Sequence, residues 1–213
     1  MSKTTQMTLL VYQAHEGQVD KGGVEYYLHP LHVARIVEER FGYDPELEMI
    51  ALGHDLLEDT WVTADTLKDM GFSQRVIDGI VGITKLKTEK TDLYKNYKER
   101  VFANSDSMKV KWADLTHNMD TSRLKTIDDE AKKRLEKYTL FRAEIEAKLE
   151  PVTLYWTFKN DHTWSKSFDN EDLMTLFANT TGLVTHPDIV RITAKFGDGK
   201  NSVLKDSSEL LVW

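Results

Sequence analysis

Residues 53–60, with the sequence GHDLLEDT, place four ionisable side chains at the end of an apolar stretch that has helical periodicity. His54 and Asp55 follow that stretch directly, and Glu58 and Asp59 come one helical turn later. Polar side chains are costly to bury without partners, so this pattern restricts how the chain can fold. Either the four groups form the wall of a pocket that carries ligand and proton-transfer groups, or they cap a helix end with solvated acids.

The first two thirds of the chain have the pattern of amphipathic helices. Met7, Leu10, Val11 and Ala14 recur at i, i+3, i+4 and i+7, which is one face of a helix. Further helices are predicted to begin near Pro30 and Pro45, to follow the N-caps Thr63 and Ser73, and to cover residues 93–103, 107–119 and 128–149. No strand-like alternation precedes residue 150. Residues 1–150 are therefore predicted to form a mainly α, all-helical domain.

The residue pattern changes from helix-like to strand-like at Pro151. Val152–Phe158 is β-branched and aromatic, and Thr163–Phe168 alternates after an Asn-Asp pair, so a hairpin is predicted. The other elements expected there are a short helix capped by Asp169, a strand over residues 189–196 and an edge strand over residues 209–213. Residues 151–213 are thus predicted to form a small ββαβ appendage, of α+β type and unknown role, beside the helical bundle.

Charge and composition exclude several classes of partner. The formal net charge of −7 argues against nucleic acid or an anionic membrane as the main partner. Because the chain has no cysteine, disulfides and thiolate zinc sites are excluded. The sequence has no apolar run of about 18 residues that would span a membrane, and residues 1–10 do not resemble a signal peptide. A cytoplasmic location is the default expectation, and the oligomeric state is left open.

Four side chains from three predicted helices offer nitrogen and oxygen ligands: His29, His54, Asp55 and Asp114. Such a set suits Mn²⁺, Zn²⁺ or Fe²⁺, which accept both imidazole and carboxylate. An ion of this kind polarises a phosphoryl oxygen and makes water a nucleophile near neutral pH. The acidic pair Glu58 and Asp59 would then position the water or pass a proton to the leaving oxygen.

Other side chains near these groups have structural interpretations. His32 is explained by packing or capping, and His15 is predicted to tie the loop after the first helix to the pocket wall. His117 is three residues from Asp114 on the same helix, so it can contact a ligand from outside the coordination shell. Trp61 is the tryptophan expected near the pocket.

The order of five sequence blocks resembles that of a known family. The blocks are HEGQ at 15–18, YYLHPLHVA at 26–34, HDLLEDT at 54–60, TKL at 84–86 and KWADLTHNM at 111–119. They resemble the HD-domain phosphohydrolases, specifically the RelA/SpoT-like (p)ppGpp hydrolase domain and its small single-domain relatives. The resemblance covers residues 5–150 and implies an all-helical HD-domain bundle. It also implies one bound Mn²⁺, held by His29, His54, Asp55 and Asp114.

The resemblance further assigns roles to the acidic pair and to the substrate contacts. The family's catalytic Glu-Asp pair, which activates water and protonates the leaving group, falls on Glu58 and Asp59. Its phosphate contact falls on Lys21, and its contacts near the nucleoside fall on Asn118 and Thr121. The implied reaction removes the 3′-pyrophosphate of ppGpp or pppGpp, the alarmones of the stringent response.

Two departures from the family pattern leave the nucleotide base open. Asp20 stands where alarmone hydrolases place an arginine that packs on guanine, and Leu115 follows Asp114 where the family has Asp-Arg. A carboxylate cannot make the cation–π contact of an arginine. A phosphatase acting on NADPH or another nucleotide is therefore one alternative, and a non-catalytic nucleotide-sensing module is another. A sensor has no need of Glu58 and Asp59, which favours an enzyme. Too few residues follow position 150 for a nucleotide-synthetase domain, so a hydrolase-only architecture is expected.

Overall fold

The computed structural model describes residues 1–85, 93–123, 128–149, 152–168, 181, 187–195 and 201–206. Within them, almost all regular structure before residue 150 is helical. The helices are α1 (Lys3–Ala14), α2 (Leu28–Phe41), α3 (Pro45–Gly53), α4 (Leu56–Asp59), α5 (Ala64–Asp69), α6 (Gln74–Ile83), α7 (Leu93–Phe102), α8 (Ser105–Asn118) and α9 (Asp129–Leu149). A 3₁₀ turn, Thr121–Arg123, follows α8. The predicted mainly helical fold class with a small sheet is confirmed.

The chain divides into two units, Met1–Ile145 and Glu146–Trp213. The sequence had placed the boundary at Pro151, and the division between the units lies a few residues earlier, inside α9. No helix within the described part of the chain is long and apolar enough to cross a membrane.

Side-chain caps explain where several helices begin. The Asp44 side chain accepts hydrogen bonds from the backbone N–H groups of Glu46 and Leu47, with a proline in the first turn of α3. Thr63 and Ser73 cap α5 and α6 in the same way. These caps satisfy backbone donors that have no partner inside the helix, and all three were predicted from the sequence.

The helix that reaches His54 and Asp55 is interrupted, although the sequence pattern is compatible with a continuous one. α3 ends at Gly53, and the short α4 begins at Leu56. At the break the His54 side chain bonds to the Ala51 carbonyl oxygen, with Nδ1 2.7 Å from it. The one-turn relation survives, since the backbone N–H of Asp59 still donates to the Asp55 carbonyl at 3.0 Å. The two acidic groups therefore stay on one side of the chain despite the break.

The core of the helical unit is centred on α3. The helices α1, α2, α6 and α8 all pack against it, and its residues from Met49 to Gly53 are all buried. Its neighbour α6 comes particularly close at Gly79, where a Cβ atom would lie 2.5 Å from Cδ1 of Ile50. The position of the C-terminal end of α3 is therefore set by packing on all sides.

The second unit contains a four-stranded antiparallel sheet of order β2-β1-β3-β4. Its strands are β1 (Val152–Phe158), β2 (Thr163–Phe168), β3 (Ile189–Lys195) and β4 (Asn201–Asp206). The predicted hairpin and the strand near 189–196 are confirmed, and β4 was not predicted. The helix expected after Asp169 and the strand expected over 209–213 lie outside the described residues. Leu154, Ile192 and Ala194 are among the residues that form the apolar core of this unit.

We predict that Gly79→Ala lowers the free energy of unfolding by about 1–3 kcal/mol. Alanine has a better helix propensity than glycine, but the destabilisation by overpacking is expected to be larger than this gain. The added methyl group would collide with Ile50, which is fully buried and has no free space to move into. Chemical denaturation followed by circular dichroism measures the change. Asp78→Ala, on the exposed side of the same helix, should change stability by only about 0.5 kcal/mol. Equal stabilities of the wild type and Gly79→Ala would contradict the close contact.

Candidate active site

A cavity of about 330 Å³ lies in the helical unit, next to the C-terminal end of α3. Its walls come from the loop before α2, from α2, from the α3–α4 junction, from α8 and from α9. The sequence-predicted residues that line it are Lys21, His29, His54, Asp55, Glu58, Asp59, Asp114 and Asn118. Thr121 lies in the turn after α8 and is not among the lining residues that the structure describes.

The four candidate metal ligands converge at the bottom of this cavity. His54 Nε2 lies 3.1 Å from Asp55 Oδ2 and 3.7 Å from Asp114 Oδ1. His29 Nε2 lies 3.1 Å from Asp114 Oδ1 and 3.6 Å from Asp55 Oδ2. Ligands about 2.1 Å from an ion are about 3.0–3.5 Å from one another. The ligand atoms of His29, His54 and Asp55 lie within 4.8 Å of one another, which is compatible with one bound ion. Asp114 Oδ1 lies beside both histidines but does not belong to that group.

The protonation of His54 tests whether this set fits a cation. A carbonyl oxygen can only accept, so the 2.7 Å contact between His54 Nδ1 and the Ala51 carbonyl puts a proton on Nδ1. In the neutral ring Nε2 then carries a lone pair, which faces the carboxylate oxygens of Asp55 and Asp114. Among the described residues this buried nitrogen has no hydrogen-bond partner of acceptable geometry. An orphaned lone pair among carboxylates fits a bound divalent cation.

The electrostatics of the cluster also favour a positive charge between these groups. Burial lowers the pKa of His54, but the charge of Asp55 and interactions with Asp114 outweigh it and raise the pKa to about 10. Burial likewise opposes ionisation of both acids, yet the neighbouring His54 and Lys111 hold the pKa values of Asp55 and Asp114 well below the usual range. The carboxylates around His54 Nε2 thus favour a positive charge at this position, which a divalent ion would also supply.

Each acidic ligand candidate is oriented by a further side chain. The Tyr26 hydroxyl donates to Asp55 Oδ2 at 2.7 Å. Lys111 Nζ donates to Asp114 Oδ2 at 2.7 Å, and the Asn118 amide donates to Asp114 Oδ1. Tyr26 and Lys111 also line the cavity. Such partners fix the direction in which a carboxylate presents its oxygens.

The acidic pair lies on the wall beside the ligand cluster. Glu58 is held by Lys85, whose backbone N–H and Nζ lie 3.1 Å and 3.0 Å from its two carboxylate oxygens. Burial, together with the charges of Asp55 and Glu58, raises the pKa of Asp59 above its ordinary value. Asp59 therefore keeps a proton to a higher pH than an isolated aspartate.

The predicted role of His15 is confirmed. Its Nδ1 lies 2.8 Å from Gln18 Oε1, and the Gln18 amide donates to the Asp59 carbonyl oxygen at 3.0 Å. His15 thus ties the loop after α1 to the wall that carries the acidic pair. The expectation for Trp61 is wrong, since its side chain is 63% exposed and is not among the described lining residues.

Asp20 has a local structural role. Its Oδ1 accepts hydrogen bonds from the backbone N–H groups of Gly22 at 2.8 Å and Val24 at 2.9 Å. An aspartate that bonds the backbone two residues ahead closes a turn. Lys21 sits in this turn and lines the cavity. The carboxylate at position 20 thus shapes the loop that presents Lys21.

Sequence reasoning missed a wall of the cavity that comes from α9. Arg134, Leu135 and Tyr138 line it, and all three are partly buried. Arg134 and Tyr138 are four residues apart, so they lie on the same face of the helix. That spacing was visible in the sequence, but nothing in it indicated that this face of α9 points to the cavity.

The chain resembles several known proteins in sequence and a solved structure in fold. No family model matches the chain. It is 35% identical over 139 residues to guanosine-3′,5′-bis(diphosphate) 3′-pyrophosphohydrolase of Haemophilus influenzae, a match that covers 62% of this chain and 20% of that protein. It is 32% identical over 148 residues to the bifunctional (p)ppGpp synthase/hydrolase SpoT of Escherichia coli K12, covering 66% of this chain and 20% of SpoT. The chain spans about a fifth of the length of these curated relatives.

A solved structure has a similar fold. It is that of a metazoan ortholog of SpoT, a protein described as hydrolysing ppGpp and playing a role in starvation responses. The superposition has a TM-score of 0.58 at 21% sequence identity and covers 68% of this chain and 84% of the other. The sequence blocks, the similarity to the bacterial relatives and the fold agree with one another. This chain is therefore similar in sequence to RelA/SpoT-like (p)ppGpp hydrolases, and it shares the fold of the solved structure.

Proposed function

We propose that this protein is a metal-dependent phosphohydrolase of a small phosphorylated nucleotide, with removal of the 3′-pyrophosphate of (p)ppGpp as its reaction. The observation that carries the proposal is the convergence in one cavity of three side chains with metal-donor spacing, His29, His54 and Asp55, with Asp114 beside them and an acidic pair on the wall. The names of the bacterial relatives, which are (p)ppGpp 3′-pyrophosphohydrolases, support the same reaction.

In this proposal His29, His54, Asp55 and Asp114 hold the cation, with Mn²⁺ as the first choice and Zn²⁺ or Fe²⁺ as alternatives. When bound, such a cation supplies Lewis acidity at the phosphoryl group and makes water a better nucleophile. The orphaned Nε2 of His54 supports its role as a ligand. Mixed imidazole and carboxylate donors favour these borderline ions over Mg²⁺ or Ca²⁺, which prefer oxygen.

The acidic pair divides the proton transfers. Glu58, fixed at both oxygens by Lys85, orients the attacking water and accepts its proton. Asp59 keeps its own proton longer because its pKa is raised, so it protonates the leaving oxygen. A base at the attacking water, which forms the new P–O bond, and an acid at the leaving oxygen of the breaking P–O bond each contribute about 10²–10⁴-fold to the rate.

The turn closed by Asp20 and the facing side of α9 form the part of the cavity that we call the substrate wall. It carries two positively charged side chains that are available to bind phosphate. Within the described part of the chain, Lys21 and Arg134 make no ion pair, and both line the cavity. An alarmone carries phosphates on both the 3′ and the 5′ oxygen of its ribose, so one group can contact each cation. In the proposal Asn118 contacts the nucleoside, and Tyr138 is available to stack on its base. Thr121, to which the family resemblance gives a second nucleoside contact, is not among the described lining residues.

Two alternatives are tested in the same assay. The replacement of a base-packing arginine by Asp20 favours an orthophosphate-releasing enzyme that acts on NADPH or another nucleotide. A sensing module would bind a nucleotide without turnover. Pyrophosphate and orthophosphate release from ppGpp, NADPH and a panel of nucleotides, with Mn²⁺ and with EDTA, separates the three. Release of pyrophosphate from ppGpp that EDTA abolishes is the expected result.

Several expectations from the sequence stay predictions. They are the domain limits 1–150 and 151–213, the role of the small unit, the cytoplasmic location and the absence of nucleic-acid and membrane partners.

We predict that Asp55→Asn lowers pyrophosphate release from ppGpp by at least about 100-fold, because a neutral amide is a weak ligand for a hard or borderline cation. Initial rates at saturating Mn²⁺ measure the effect. The matched control is Asp65→Asn, which changes an exposed acid in α5 and should leave the rate unchanged. Full activity of Asp55→Asn would exclude the proposed site.

We predict that Glu58→Gln and Asp59→Asn each lower kcat by about 10²–10⁴-fold while the affinity for Mn²⁺ stays within about threefold. Neither side chain belongs to the proposed donor set, so the loss should fall on proton transfer. Steady-state kinetics and isothermal titration calorimetry measure the two quantities, with Glu16→Gln on the exposed surface as control. A loss of cation binding as large as the loss of kcat would reassign the pair to the metal.

We predict that Arg134→Ala raises KM for ppGpp by about tenfold or more, with kcat changed less than about threefold, because it removes one charge-assisted contact to phosphate. Lys133→Ala removes an exposed charge from the next position of α9 and should leave KM unchanged. An unaltered KM in Arg134→Ala would show that this wall does not contact the substrate.

A further inference from the structure

Three histidine rings stand in a row where α2 meets α8. His29 and His32 are three residues apart on α2, and His117 comes from α8. The ring centroid of His117 lies 4.9 Å from that of His29 and 5.1 Å from that of His32. The His32 and His117 rings are nearly parallel, with an interplanar angle of 13°. The ring of His117 is therefore held between the two histidines of α2.

The contact between His29 and His117 joins two nitrogen atoms of the same kind. His29 Nδ1 lies 2.7 Å from His117 Nδ1, which is hydrogen-bond distance. One ring must donate and the other must accept, because two protonated or two bare nitrogens at this distance would repel. The direction of this single proton decides which nitrogen of His29 carries a lone pair toward the cavity.

His54 provides the comparison within the same site. Its Nδ1 donates to a backbone carbonyl, which leaves Nε2 for the donor cluster. His29 presents its Nε2 to the same cluster, 3.1 Å from Asp114 Oδ1. For His29 to present a lone pair there, Nδ1 must carry the proton and donate it to His117.

We propose that His117 is a positioning residue that fixes the tautomer of His29: it accepts the His29 Nδ1–H and so leaves His29 Nε2 free to bind the cation. This inference rests on the metal site of the proposed function. His117 is then the tautomer protonated at Nε2, and stacking against His32 keeps its ring in the accepting orientation. Histidine ligands in metal sites generally donate their second N–H to a fixed acceptor, and loss of that acceptor costs about 10–100-fold in affinity or activity.

The test compares Zn²⁺ affinities of the full chain by calorimetry at one pH. His117→Leu keeps much of the volume but has no acceptor, and we expect its affinity to fall about tenfold or more. His117→Asn places an amide oxygen where Nδ1 stood, so we expect it to bind at least threefold more tightly than His117→Leu. Both variants lose the ring stack equally. His32→Leu removes the stack but keeps the acceptor, and we expect it to stay within threefold of the wild type.

A second measurement reads the tautomer directly and does not need a variant to fold. Long-range ¹H–¹⁵N spectra of the histidine-labelled wild type, without metal and with Zn²⁺, distinguish protonated from bare ring nitrogens. A proton on His29 Nδ1 and none on His117 Nδ1 is the expected result. The reverse assignment would overturn the proposal, as would equal affinities of His117→Leu and the wild type, or of His117→Leu and His117→Asn.

Failure of the metal site and failure of the role of His117 give different results. A wild type that binds no Zn²⁺ or Mn²⁺ would overturn the proposed metal site, while the metal-free spectrum would still report whether His117 accepts. Normal cation binding in every variant would leave the metal site intact and remove the role of His117.

Discussion

The arrangement of the cavity depends on two carboxylates that need positive charge: Asp114, which is buried, and Asp55, which is partly buried. Asp114 is matched on one side by the ammonium group of Lys111, and both acids face the imidazoles of His29 and His54 on the other. Leaving either acid without a compensating charge in this environment would cost about 3–5 kcal/mol. The chain offsets this cost with the ammonium group of Lys111 from α8 and with the imidazole nitrogens of His29 and His54, which in our proposal bind a cation.

The packing of α3 fixes the positions of the charged groups that follow it. Gly53, at the end of the helix, has no space for a Cβ atom because Ile80 lies against it, and Gly79 on α6 has none because of Ile50. Both contacts bring the two backbones close together and leave α3 little freedom to slide. His54 follows directly, and its Nδ1 is bonded to the last turn of the same helix. The direction of His54 Nε2, a proposed metal donor, is thus set by the packing and backbone of α3.

The sequence predicted those features of the fold that depend on short-range contacts. The caps at Asp44 and Thr63 follow from short-range hydrogen bonds, which residue identity specifies. The break after Gly53 was not predictable, because it depends on the approach of α6 and on a side-chain bond to the helix's own backbone. The wall formed by Arg134 was missed for a related reason: an i, i+4 spacing defines a helix face, but only tertiary packing decides what that face meets. Likewise, Asp20 could be identified as a departure from the family, while its role in closing the turn needed the backbone geometry.

The residues proposed to carry out the reaction and the residues proposed to select the nucleotide lie mostly in different segments of the chain. The donor cluster is held by contacts of α2, the α3–α4 junction and α8, including the Asn118 amide, and by the Tyr26 hydroxyl from the loop before α2. Among the described contacts, none comes from the substrate wall formed by the Asp20 turn and α9. That wall consists of a turn closed by Asp20, which presents Lys21, and of the face of α9 that carries Arg134 and Tyr138. A cation on α9 approaches a ligand from a different direction than one in the loop before α2. In our proposal the base preference can therefore shift through changes in these two segments alone, because no metal donor has to move.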